Sequence, residues 1–233
     1  TVIESGGKYA ELDPSLASMI QEFVQDTIAE QQQRIKELQE KLSTTTDENE
    51  HYKLERIIDK LQLAIYALEN KNFADAEKQY RLILDTDEKN PDALEGLGFT
   101  LARQDKYEES IFYYDKLLED EPDNYEALVN NAWSYALLKN YEKSLEILNS
   151  SEDPNSNDVV ILSHKCWILH KLDLHNDAIE TCKKALSHGT NDSRVLMAYS
   201  LSLSLLNRSE EALPIYEKLY SEYPNDFPTI INY

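Results

Sequence analysis

Residues Pro91–Asn124 read PDALEGLGFTLARQDKYEESIFYYDKLLEDEPDN, and the chemistry of this stretch returns every 34 residues in both directions. Leu94 has counterparts in Leu128, Leu162 and Leu196. Gly98 corresponds to Ala64, Ala132, Cys166 and Ser200, all small. Ser110 corresponds to Ala76, Ser144, Ala178 and Ala212, small again. Tyr114 corresponds to Tyr80, Leu148, Cys182 and Tyr216. Five units therefore follow without a gap, at 57–90, 91–124, 125–158, 159–192 and 193–226.

Each unit holds two helix-length patterns. Two helices approach closely only where their side chains are small, so the Gly98 and Ser110 columns mark the crossing within each pair. Leu101, Tyr135, Leu169 and Leu203 on one helix, with the Tyr114 column on the other, fill the space above and below. Turn formers separate the helices at Asn70–Asn72, Gln104–Lys106, Lys139–Asn140 and Asn207–Ser209. Pro91, Pro122, Pro154 and Pro224 fall at the unit boundaries, where helix interiors must end.

In these columns the chain resembles the tetratricopeptide repeat family over 57–226, with the start of a further repeat helix at 227–233. The resemblance implies an all-α fold: a right-handed α-solenoid of helix-turn-helix repeats, here with a long N-terminal helix added. Three departures carry expectations. Lys60 stands where other units have Leu, as an extra helix in place of a preceding repeat requires. The third unit runs into Ser150-Ser-Glu-Asp-Pro-Asn-Ser-Asn157, so its second helix should be short. Pro214 lies inside the last second helix and should distort its first turns.

In the family, the first helices line a concave surface that receives an extended or helical peptide. One such column here is Ile65, Phe99, Trp133, Trp167 and Leu201; the column one turn earlier is Leu61, Glu95, Val129, Ser163 and Met197. The chaperone-binding branch places Lys, Asn and Arg in these columns to clamp a terminal carboxylate, and that basic set is missing. What remains is an apolar, aromatic groove with an acidic rim, where Glu95 and Glu126 favour a partner with basic flanks. Two readings of the tryptophan pair are open: a partner-binding surface, or packing against neighbouring helices and the chain's own segments.

The N-terminal part is organised differently. Residues 1–12 read as a leader, and 13–47 as an amphipathic helix with its connector. Asp13-Pro14 is a helix start, with Asp as N-cap and Pro in the first turn. From there to about Leu42 the positions Val24, Ile28, Gln31, Ile35, Leu38 and Leu42 form a heptad seam with one polar slot. A narrow stripe of this kind needs cover. Either it caps the first repeat, as the short connector Ser43–Asp47 favours, or it pairs between chains as a homodimer through 14–42.

Composition bounds the rest. A formal charge of −21 disfavours nucleic-acid phosphates and anionic lipid surfaces, so neither is an expected partner. No apolar run approaches the ~18 residues of a membrane span. Cys166 and Cys182 both fall on inward columns of one repeat. Buried free thiols in a reducing cytoplasm are the expectation, with a disulfide between the two helices the lesser alternative. The missing Met at the start and the broken-off helix at the end read as an excerpt from a longer protein.

A search for chemistry returns little. Ser5-Gly-Gly-Lys8 has the wrong spacing for a phosphate loop, and Tyr9 stands where a Ser or Thr would hold Mg²⁺. His164, His170, His175 and His188 cluster in one repeat beside Cys166 and Asp173, but His164 and His170 are not at the i,i+4 spacing of a helical metal pair. No metal, cofactor or catalytic set is expected, so the chain is not read as an enzyme. The expected function is a protein-protein interaction scaffold. The alternatives are the regulatory or sensor arm of a larger enzyme or effector, and an oligomerisation module built on the N-terminal helix.

Overall fold

A computed structural model of the chain describes residues 14–150 and 158–223, with side chains from Val24 onward. Among the described residues the structure is all helix: α1 (Pro14–Thr44), α2 (Glu48–Glu69), α3 (Phe73–Leu84), α4 (Pro91–Ala102), α5 (Tyr107–Asp120), α6 (Tyr125–Leu137), α7 (Tyr141–Ser150), α8 (Val159–Lys171), α9 (His175–Ser187), α10 (Ser193–Leu205) and α11 (Ser209–Glu222). The expected leader 1–12, the phosphate-loop-like Ser5–Lys8 and the further helix at 227–233 lie outside the described residues. The described residues divide into two compact units, one containing Leu16–Asn130 and the other beginning at Asn131.

The helix boundaries keep the 34-residue step. Asn90, Asn124, Asp158 and Asp192 each accept a backbone N–H from the first turn of the helix that follows, at 2.9–3.0 Å. Such caps satisfy donors that the helix itself leaves unpaired. Each of those first helices, and α2 before them, ends on a residue with positive φ: Lys71, Asp105, Lys139, Asp173 and Asn207, between 55° and 63°. One residue further on, the N–H of Asn72, Lys106, Asn140, Leu174 or Arg208 reaches back five residues to a helix carbonyl. This is a Schellman closure, which turns the chain sharply into the second helix of the pair.

The small columns sit at the crossings as expected. Ala64, Ala132, Cys166 and Ser200 are fully buried on the first helices, as are Ala76, Ser110, Ser144 and Ala178 on the second. Gly98 is needed at its position: a Cβ there would lie 2.9 Å from the Tyr114 ring. Helix α7, at 10 residues, is shorter than its counterparts of 12 to 14.

One expectation is corrected. Cys166 and Cys182 are not free thiols; they form a disulfide with a Cα–Cα distance of 5.0 Å. The reason is the repeat itself, because these positions are the counterparts of Gly98 and Tyr114, which touch in their own pair. The cysteine argument for a reducing compartment falls with this. Pro214 lies inside α11, which runs from Ser209 to Glu222. In the described part of the α1 seam Val24, Ile28, Ile35 and Leu38 are 3–9% exposed and join one core with α2, α3 and α4.

Candidate functional site

In the first unit the face made by the first helices is covered by α1. Leu61, Ile65 and Phe99 share a core cluster with Val24, Ile28, Ile35 and Leu38 of α1. Two polar contacts fix the register. The polar slot Gln31 accepts the Tyr80 hydroxyl at 2.6 Å, in full burial. Arg34 holds Asp92 with its Nε 3.0 Å and 3.1 Å from the two carboxylate oxygens. Gly96 makes room for this, since a Cβ there would meet the Tyr80 ring and the Gln31 amide. Across the connector, Lys41 pairs with Glu50.

The charges on this face do not match as well. Burial, then Glu126 and Asp26, push the Glu30 carboxyl up to about 7. Burial, then Glu30, Glu126, Asp92 and Glu121, push Glu95 up to about 8. Burial raises Asp92 as well, against the pull of Arg34. Acid therefore faces acid where α1 lies on the repeats.

In the second unit the corresponding face carries an aromatic stack. The Trp133 ring lies 5.1 Å from His164 and 5.3 Å from Trp167, centroid to centroid, and Tyr141 meets Trp167 edge-on at 5.8 Å. The Arg194 guanidinium sits 5.2 Å from the Trp133 centroid, and the Lys171 ammonium 5.3 Å from that of Trp167. Both are cation–π geometries. Arg194 is itself buried and bound to Asp192 through Nε at 3.1 Å. Burial, then Arg194, hold the His164 imidazole down at about 3, so the ring stays neutral against the tryptophan. His170, lowered to about 4 first by burial, shares a hydrogen bond with the Ser202 hydroxyl.

The expected groove residues thus divide. Leu61, Ile65, Phe99, Val129, Trp133 and Ser163 are buried. Glu95, Trp167, Met197 and Leu201 are half-buried. On α8 and α10 the open positions line up at helical spacing: Val160, Trp167 and Lys171 on one, Met197, Leu201 and Leu205 on the other, with Val160 and Leu205 well exposed. Sequence reading missed Asp92 and Arg194, and weighed His164 only as a metal ligand. The signal was available, since Ile58, Asp92, Glu126, Val160 and Arg194 form a further 34-residue column, and Gln62, Gly96, Asn130, His164 and Ala198 another.

Among the described residues no group of three His, Cys, Asp or Glu is placed to hold a metal ion, and no helix is long and apolar enough to cross a membrane.

Paired helices, capped and turned at one constant interval, define a helical-repeat protein. The chain is a tetratricopeptide repeat protein: the family's profiles match residues 61–118 and 194–226. Between them, residues 103–185 match the profile of subunit 3 of the anaphase-promoting complex, or cyclosome. No curated protein sequence matches the chain. Among solved structures it resembles MamA from Desulfovibrio magneticus RS-1, with a TM-score of 0.66 at 15% identity over 73% of this chain and 97% of that one. A second MamA crystal structure gives 0.63 at 16% identity, over 73% and 93%. Likeness at these identities speaks for the fold. The repeats place the chain in the class of protein-protein interaction scaffolds, with a protein as partner.

Proposed function

We propose that the chain holds a partner polypeptide on the first-helix face of its second unit, with Trp167, Met197 and Leu201 as the apolar contacts. The observation that carries this reading is the half-exposed Trp167 ring, fixed from below by Trp133 and from the side by Tyr141. An aromatic ring already locked by its neighbours loses little conformational freedom on binding, which is why such rings serve as anchors in interfaces. Val160 and Leu205 extend the apolar strip along α8 and α10, so a ligand with apolar side chains at spaced positions could engage several contacts together. Lys171 beside Trp167 adds one positive charge to a strip that is otherwise neutral.

The test is selection of ligands from a display library of random peptides on the full chain. Peptides that win should be rich in apolar anchors and should lose ~30-fold or more in affinity for the Trp167→Ala chain, the ~2 kcal/mol of a central anchor. Equal affinity for both chains would overturn the reading.

A further inference from the structure

We infer that α1 is a displaceable occupant, and that the face it covers in the first unit is a docking site for an amphipathic helix of another protein bearing a basic residue where α1 has Glu30. This rests on different residues from the reading above.

The face demonstrably accepts a helix, because α1 is seated on it. Four apolar side chains enter the core at the seam, and Gly96 clears the path for Gln31. Yet the fit is uneven along the helix. At Arg34 and Gln31 every partner is complementary: carboxylate against guanidinium, and amide oxygen against phenol. One turn back, α1 offers Glu30 and Asp26 to a face that carries Glu95 and Glu126.

The two tyrosines of this unit report the same unevenness. Tyr80 and Tyr114 stand one repeat apart, and both are fully buried. The Tyr80 hydroxyl donates to α1, whereas the Tyr114 hydroxyl has no hydrogen-bond partner. The charges that act on it most are Glu95 and, in the opposite sense, Arg103, with Glu30 of α1 after them. A buried hydroxyl without a partner costs about 1–3 kcal/mol. A Lys or Arg side chain from a partner helix would neutralise Glu95 and Glu126, and its N–H could donate to the Tyr114 oxygen. Such a helix replaces the apolar contacts of α1 with its own, so the face is exchanged and never left empty.

The pH dependence has a definite sign. Glu30 and Glu95 bind protons more tightly with α1 docked than when free, since both carboxyls are raised toward 7 and 8. Docking is therefore favoured below the ordinary carboxylate range near 4.5 and weakens as pH rises through 7 to 8. The groups that act on these two are Asp26 from α1 and Asp92, Glu121 and Glu126 from the repeats. Displacement becomes easier on the alkaline side of this window.

The experiment is hydrogen exchange of the α1 amides in the full chain at pH 7.5. The added probes are isotope-labelled synthetic peptides of residues 16–44, one with the natural sequence and one with Glu30→Lys. At 1 mM, roughly the effective concentration that a short tether gives the resident helix, the Glu30→Lys peptide should speed α1 exchange at least tenfold. The natural peptide should do clearly less, and the gap should shrink at pH 5.5. The full chain carrying Glu30→Lys should hold its own α1 more tightly, with slower exchange, and should resist both peptides. If neither peptide moves the resident helix, α1 is a permanent cap and the inference fails. If both act equally, the selection for a basic residue fails.

Discussion

One column separates the two units. At its second position the first unit has Gly96, and the lack of a side chain leaves space for Gln31 and the Tyr80 ring, so a helix from outside the repeats closes the face. Two repeats later the column holds His164, whose ring stacks on Trp133. There the face is filled from within, by side chains of the repeats themselves, and Trp167, Met197 and Leu201 keep access to solvent. A helical repeat thus fixes the backbone while the first-helix columns decide whether the same face is closed by a neighbour or kept as a surface. The charges follow the division: acids crowd the covered face, while arginine and lysine flank the aromatic one.

The comparison is tested most severely at the tryptophans. If Trp133 belongs to the core of the second unit, Trp133→Ala should destabilise the chain by about 3–5 kcal/mol, as emptying a buried aromatic site does. Trp167→Ala, half-open to solvent, should cost clearly less. Urea denaturation of each variant gives the two values. Fluorescence separates the rings independently: the Trp133→Ala chain, with Trp167 alone, should emit to the red and be quenched by acrylamide. Blue-shifted, unquenched emission from that variant would close the second face as well and erase the contrast.

Much of this was legible in the sequence, because a repeat averages over its own noise. The crossings at Gly98, Ala132 and Ser200 declare themselves five times over, and the caps and turns between helices with them. What was not legible depends on a single occurrence. That Gln31 would be a buried acceptor for Tyr80, rather than a weak point in a seam, requires knowing which helix α1 meets. That Trp133 would be covered and Trp167 open could not be read from two residues in one column. The difference lies in their neighbours, Arg194 and His164 for one, Tyr141 and Lys171 for the other. The disulfide sits between these cases. The repeat places Cys166 and Cys182 at a known contact, but not the bond between them.

The glycine tests the other half of the contrast. Gly96→Ala puts a methyl group against the Tyr80 ring and 2.6 Å from the Gln31 amide nitrogen. Overpacking of this kind costs about 1–3 kcal/mol. The loss should appear as faster hydrogen exchange in α1 with the second unit unchanged. Removing the amide as well, in Gly96→Ala with Gln31→Ala, should recover part of it. A Gly96→Ala chain with an unchanged α1 would show that the glycine is not what admits the helix.

The smallest expected effect concerns what the units share. Lys71 in the first and Lys139 in the second both end a first helix at positive φ, 55° and 61°. A side chain with a Cβ pays roughly 1–2 kcal/mol in that conformation, and glycine does not. Glycine also makes the unfolded chain more flexible, which returns about 0.4–1 kcal/mol of the gain. Lys71→Gly and Lys139→Gly should therefore each stabilise the chain by about 0.5 kcal/mol, a rise of 1–2 °C for a chain of this size. Asn207 occupies the same turn at φ 58°. Asparagine tolerates this region through its short polar side chain, so Asn207→Gly should be neutral or slightly destabilising. Melting curves of the three variants decide the matter. Gains at both lysines, with none at Asn207, would show that the turns obey one rule across both units, whatever covers their faces. A gain at only one lysine would mean that the contrast between the units reaches down into the repeat backbone itself.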